Sequence, residues 1–96
     1  MSLRPTKDRK LLLLLRLVRA NSALQEATRS LQHNYVRFIN TRTIYRIVND
    51  PSPAFEQLQA RRRIEWEIAQ DHWANALERA RVMRLRAAEP LRATLP

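Results

Sequence analysis

Not one residue of the chain is glycine, and that absence removes more folds than any residue present. Tight type I′ and II′ hairpin turns, phosphate-cradling loops and dinucleotide fingerprints all lean on glycine, so sheet-based and P-loop architectures lose their local chemistry. Proline is confined to Pro5, Pro51, Pro53, Pro90 and Pro96, while Leu, Ala, Arg and Glu/Gln dominate the rest. Those residues lose little rotamer freedom in a helix. The expectation is therefore an all-α chain forming one domain over residues 1–96, small enough that a partner is expected to supply part of its burial.

Three helices are expected, over about 6–24, 33–49 and 53–88, with 89–96 as a tail and the whole packed as an antiparallel bundle with a long third helix. The first opens at Pro5-Thr6, where Thr6 can cap and Asp8 sits near the positive end of the macrodipole. Its centre is Leu11 to Arg19, the densest run of apolar side chains in the chain. At about 100° per residue Leu11, Leu14, Leu15 and Val18 share a face, with Arg9, Arg16 and Arg19 roughly opposite and Leu12, Leu13 and Leu17 widening the apolar arc. The leucine face is expected to pack on the later helices, leaving the arginine flank for a partner.

Nothing between residues 6 and 50 is a strong breaker; Asn21-Ser22 and His33-Asn34 are the soft candidates for a boundary. In the second helix Tyr35, Phe38, Ile39, Tyr45 and Val48 mingle with Arg37, Arg42 and Arg46. Aromatics among arginines can form a stacking platform for bases, though helical spacing is more often the mark of a packing face. Asn49-Asp50-Pro51-Ser52-Pro53 is the clearest break, with Ser52-Pro53 offering N-cap and N1 chemistry. Beyond it Phe55, Trp66, Ala69, Trp73, Ala76, Leu77, Ala80 and Met83 recur at threes and fours, a core face on which alanine permits close approach.

Chemistry-bearing constellations are missing. There is no cysteine, and His33 and His72 stand without the spacing a metal helix needs, so no catalytic or metal residue is assigned and an enzyme is not expected. Net charge is +9, almost all from arginine. It favours an anionic partner, whether nucleic acid, an acidic protein face or an anionic lipid surface. Arg61 and Arg63 stand four residues before Glu65 and Glu67, which partly neutralises that triplet. Arg79, Arg81, Arg84 and Arg86 complement a helix C-terminus. No stretch approaches the roughly 18 apolar residues of a membrane span. The first twenty residues, basic and nearly free of acid, suit organelle targeting, and as a structural helix they are expected to be retained.

Leu14-Leu15-Arg16 followed by Arg19, then Tyr35-Val36-Arg37-Phe38 and a third helix after Pro53, together resemble the mitochondrial LYR superfamily over residues 9–86. Leu15 stands where the family name has tyrosine. The assembly-factor branch of mitochondrial ATP synthase is similar in length and likewise carries Leu-Leu-Arg with a second arginine close behind. The resemblance implies a non-enzymatic adaptor on the matrix side of the inner membrane or in the matrix, an assembly factor for a respiratory-chain or ATP synthase complex. Implied partners are an F1 chaperone, a respiratory complex subunit or the mitochondrial acyl carrier protein, whose acyl-phosphopantetheine arm would be the only cofactor-like group. Implied contact residues are Leu14, Leu15, Arg16, Arg19, Arg37 and Phe38. Two alternatives stand beside it: a permanent accessory subunit of a respiratory complex, and a small basic RNA-binding protein of an organellar ribosome.

Overall fold

The computed structural model describes residues 5–49 and 52–92 and contains two helices, α1 (Pro5–Val48) and α2 (Pro53–Arg92), folded back on each other. The expected three-helix bundle is thus corrected to an antiparallel hairpin: the first and second expected helices are one. Its extents are 68 × 29 × 13 Å. A 44-residue helix rising about 1.5 Å per residue spans roughly 66 Å, so the long axis is simply the length of α1.

Continuity of α1 has a local cause. With neither glycine nor proline between Thr6 and Val48, only Ser, Thr and Asn compete for backbone partners, and here they bond back into the helix they belong to. Thr28, Thr41 and Thr43 hydroxyls donate to the carbonyls four residues earlier at 2.8 Å, and Asn34 Nδ2 donates to the Ser30 carbonyl at the same distance. Asn21 and Ser22 point into solvent. Neither soft boundary therefore breaks the ladder.

The true end comes at Asn49, which adopts φ 50° and donates its N–H to the Tyr45 carbonyl at 2.9 Å. A left-handed residue closing a helix this way is an αL cap, and asparagine tolerates it better than other residues with a Cβ. Ser52 then caps α2. The Phe55 N–H reaches Ser52 Oγ at 3.3 Å, Glu56 N–H bonds the Ser52 carbonyl at 3.2 Å, and Pro53 takes the first helical position as expected. The expected stop near Ala88 is passed: α2 continues through Pro90 to Arg92. Pro90 forfeits one intrahelical bond, and only two helical residues follow it.

A seam of period 3.5 holds the helices together. On α1 it runs Leu13, Leu17, Ala20, Leu24, Ala27, Leu31, Asn34, Phe38, Thr41, Tyr45; on α2 it runs Phe55, Gln59, Arg62, Trp66, Ala69, Trp73, Ala76, Ala80, Met83, Ala87. Every one of these is buried or half-buried. Alternating threes and fours keep one stripe facing a partner along the whole rod, which is the geometry of a two-stranded coiled coil. Near the turn the seam is aromatic. Tyr45 stacks on Phe55 at 5.5 Å, and Trp66 lies nearly parallel to Phe38 at 5.1 Å while meeting Tyr35 at 5.6 Å and 53°. Toward the open end the seam changes to alanine on α2 against leucine and alanine on α1.

The face of helix one is also corrected. Leu13, Leu17 and Ala20 turn inward, whereas Leu11, Leu12, Leu14, Leu15 and Val18 are left outside. Over nine residues the leucine run offers almost any phase. Over the fused helix only one phase keeps an apolar or small residue at nearly every third and fourth position, and that longer seam decides.

Candidate interaction surface

A single layer of two helices buries little. The buried hydrophobic residues are Ala20, Phe38, Ala69, Ala80 and Ala87, four of the five being alanine, and no large side chain is completely enclosed among the described residues. Fourteen large apolar side chains are exposed in that same set, among them Leu11 at 57%, Val18 at 59% and Ile47 at 77%. Scattered apolar residues on a surface mean nothing by themselves, but contiguous ones mark contact sites. One group is contiguous here, and a second set is spread over the half of the rod nearer the turn.

The first lies at the open end, where Leu11, Leu14, Leu15 and Val18 form a ridge along the outer edge of α1. Arginines surround it. On one broad face of the hairpin Arg16, Arg19, Ala20, Ala23, Arg79 and Met83 line a groove, and Arg16 continues it into a second lined by Arg9, Leu12, Leu13 and Arg86. Five guanidinium groups thus share one strip with an apolar floor. Among the described residues none of the five meets a carboxylate in an ion pair. On the other broad face stand Arg81 and Arg84, the latter three seven-residue repeats from Arg63, which lines the groove of that face with Phe38 and Ala60. Arg81 donates two hydrogen bonds to Glu78, at 2.7 and 3.0 Å. These bonds hold the Glu78 carboxyl below its ordinary range and raise the Arg81 guanidinium in return.

The sequence makes this end strongly polar as a whole. Residues 5–25 and 78–92 carry ten basic and three acidic side chains, whereas residues 26–77 between them carry seven and six. Because the hairpin brings its two ends together, almost all the net charge gathers at one end of the rod.

Toward the turn the exposed apolar residues are dispersed: Ile44 and Ile47 stand one helical turn apart on α1, while on α2 Ile64 lines a groove with Phe38 and Arg63 and Ile68 lines another with Ser30, Asn34 and His72. Here the charges are balanced. Glu65 accepts from Arg62 at 3.0 Å and faces Arg37 of α1 at 3.7 Å, and Arg63 pairs with Glu67 at 3.5 Å. The expected Arg63 pair forms; Glu65 takes Arg62 and Arg37 in place of Arg61.

The six candidate contact residues therefore divide. Leu14, Leu15, Arg16 and Arg19 come together at the open end, exposed, and neither arginine has an ion pair among the described residues. Arg37 lies some 27 Å further along the helix, eighteen residues from Arg19 at about 1.5 Å each, and is engaged with Glu65. Phe38 is only 8% exposed and belongs to the aromatic seam, where it stacks on Trp66 while lining a groove with Ala60 and Arg63. Missed by the sequence reading were Arg79 and Arg86 as neighbours of Arg16, since their proximity exists only once α2 folds back on α1.

Fold and surface together define a class: an all-α helical hairpin with a coiled-coil seam and one arginine-rich, leucine-bearing end. No protein-family model, curated protein or solved structure matches the chain. No helix among the described residues is long and apolar enough to cross a membrane.

Proposed function

We propose that this chain is a non-enzymatic adaptor that works by protein–protein contact, with a partner supplying the second layer its hairpin lacks. The observation that supports it is the balance of burial: four of the five buried apolar residues are alanine, while fourteen large apolar side chains are exposed among the described residues. Covering such side chains is worth roughly 25 cal/mol per Å² of apolar surface removed from water. A rod only 13 Å thick cannot cover them by itself. The setting the reading favours is the assembly of a respiratory-chain or ATP synthase complex in mitochondria, which suits the basic, acid-poor N-terminal helix. The LYR resemblance contributes the motif Leu14-Leu15-Arg16 to this reading and nothing of its helix count.

Co-purification of the tagged full chain from mitochondria, against a variant carrying Ile44→Gln and Ile68→Gln, tests the proposal. A partner retained by the natural chain and lost by the variant, with helicity unchanged by circular dichroism, is the expected result. Substoichiometric association would mark an assembly factor, and stoichiometric retention a permanent subunit. Recovery of both proteins only as free monomers would overturn the reading, and so would retention on RNA with a steep loss of affinity as salt rises.

A further inference from the structure

We infer that the open end of the hairpin is a peripheral membrane-docking surface for anionic lipid bilayers, with Leu11, Leu14, Leu15 and Val18 entering the boundary between headgroups and acyl chains. The inference goes beyond the adaptor reading, because it concerns the leucine end alone and would stand if no protein partner were found.

Charge complementarity is the first ground. Ten basic side chains against three acidic ones converge on this end, while the rest of the rod is close to neutral. A basic residue near an anionic membrane contributes about 1 kcal/mol, which is roughly a fivefold gain in binding. Here several act together. Arg16 and Arg19 stand on one side of the ridge and Arg84 on the other, with Arg81 beside it held by Glu78, so phosphates can be met on both flanks while the leucines enter between them.

Shape is the second. The four ridge residues spread over two consecutive turns and an arc of about 100° of the helix circumference, a convex ridge on the outer edge of the rod. A fluid interface covers such a ridge without being built for it. A rigid protein partner would have to present a matching trough lined with acid on both rims. A second copy of this chain is disfavoured by like charge, since pairing the two leucine ridges would bring both arginine collars together.

The chemistry of the cation is the third. Arginine carries a long apolar stem and a weakly hydrated head, and it can follow leucines into an interface while keeping its guanidinium at phosphate level. Amphipathic helices with leucine on one side and arginine on the other lie in the plane of a membrane surface in this way.

Flotation of the full chain with vesicles of phosphatidylcholine alone, or with about a third of phosphatidylglycerol, tests the inference at near-physiological salt. Binding to the anionic vesicles and not to the neutral ones is expected. Leu11→Gln with Leu15→Gln should lower that binding on the order of tenfold or more, as should Arg16→Gln with Arg19→Gln. Arg42→Gln with Arg46→Gln removes the same two charges from the turn end and should change it at most severalfold. A Leu15→Trp variant should show a blue-shifted emission with anionic vesicles only. The inference is overturned if anionic vesicles float without the protein, if the leucine pair is dispensable, or if the Arg42/Arg46 variant loses as much as the Arg16/Arg19 variant, which would reduce the effect to net charge. Capture of an acidic protein by the leucine ridge together with absence of vesicle binding would likewise overturn it.

Discussion

Truncating Trp66 to alanine should be the most damaging single change near the turn, and its size can be worked from the seam. Complete loss of a buried aromatic side chain costs roughly 3 to 5 kcal/mol. Trp66 is only half-buried, which scales that part to about 2 kcal/mol. It also forfeits two ring contacts, with Phe38 at 5.1 Å and with Tyr35 at 5.6 Å, each worth about 0.5 to 1.5 kcal/mol beyond area. Trp66→Ala should therefore cost about 3 to 4 kcal/mol, a Tm decrease on the order of 15 to 25 °C for a domain of this size. Trp73→Ala one seven-residue repeat further on removes a similarly half-buried ring that meets no other ring among the described residues, and should cost about 2 kcal/mol. Thermal melts followed by circular dichroism compare the two, and a double-mutant cycle with Phe38→Ala isolates the stack, with an expected coupling of about 0.5 to 1.5 kcal/mol. Equal losses at Trp66 and Trp73, or zero coupling with Phe38, would refute the aromatic register that sets the two helices side by side.

Three further expectations concern the hairpin's ends and its charge. Ser52→Ala removes the oxygen that accepts from Phe55 N–H and should cost about 0.5 to 2 kcal/mol in a denaturant titration, with a change in midpoint and no change in slope. Asn49→Val places a β-branched residue at φ 50° and should cost about 1 to 2 kcal/mol, whereas Asn49→Gly should be tolerated; equal stability of the two variants would deny the left-handed cap. Because Glu78 has a lowered carboxyl pKa in the folded chain, its contribution exists above the ordinary carboxylate value and fades as pH falls through the lowered one. Any Tm advantage over Glu78→Gln should thus be present at neutral pH and vanish in acid; an advantage growing on acidification would contradict the Arg81 interaction.

Much of the fold was legible in the sequence because it is local. The absence of glycine excluded sheets, the Ser52-Pro53 cap and the Asn49 to Pro53 break fixed the one turn, and seven of the eight residues assigned to the core face of α2 lie on the seam. Leu77, the eighth, faces solvent. What failed was phase and continuity. Asn21-Ser22 and His33-Asn34 looked like boundaries because polar residues often cap helices, yet with no proline or glycine beside them they bond inward or face water and the helix runs on. The leucine run was assigned to the wrong face because nine residues, five of them consecutive leucines, fit several phases, and only the longer seam from Leu13 to Tyr45 selects Leu13 and Leu17. The open end was half visible: Leu14, Leu15, Arg16 and Arg19 are adjacent in sequence, but Arg79 and Arg86 join them only through the fold-back, and Phe38 lies apart from them in the seam.

Small-angle X-ray scattering of the monomeric full chain tests the single-layer hairpin most directly. The structure has a Cα radius of gyration of 21.1 Å, and the scattering should give a value near it with the distance distribution of a rod. A compact bundle of the same length would have roughly 12 to 13 Å, and a globular profile at that value would contradict the hairpin and with it the exposed surfaces on which both proposals stand.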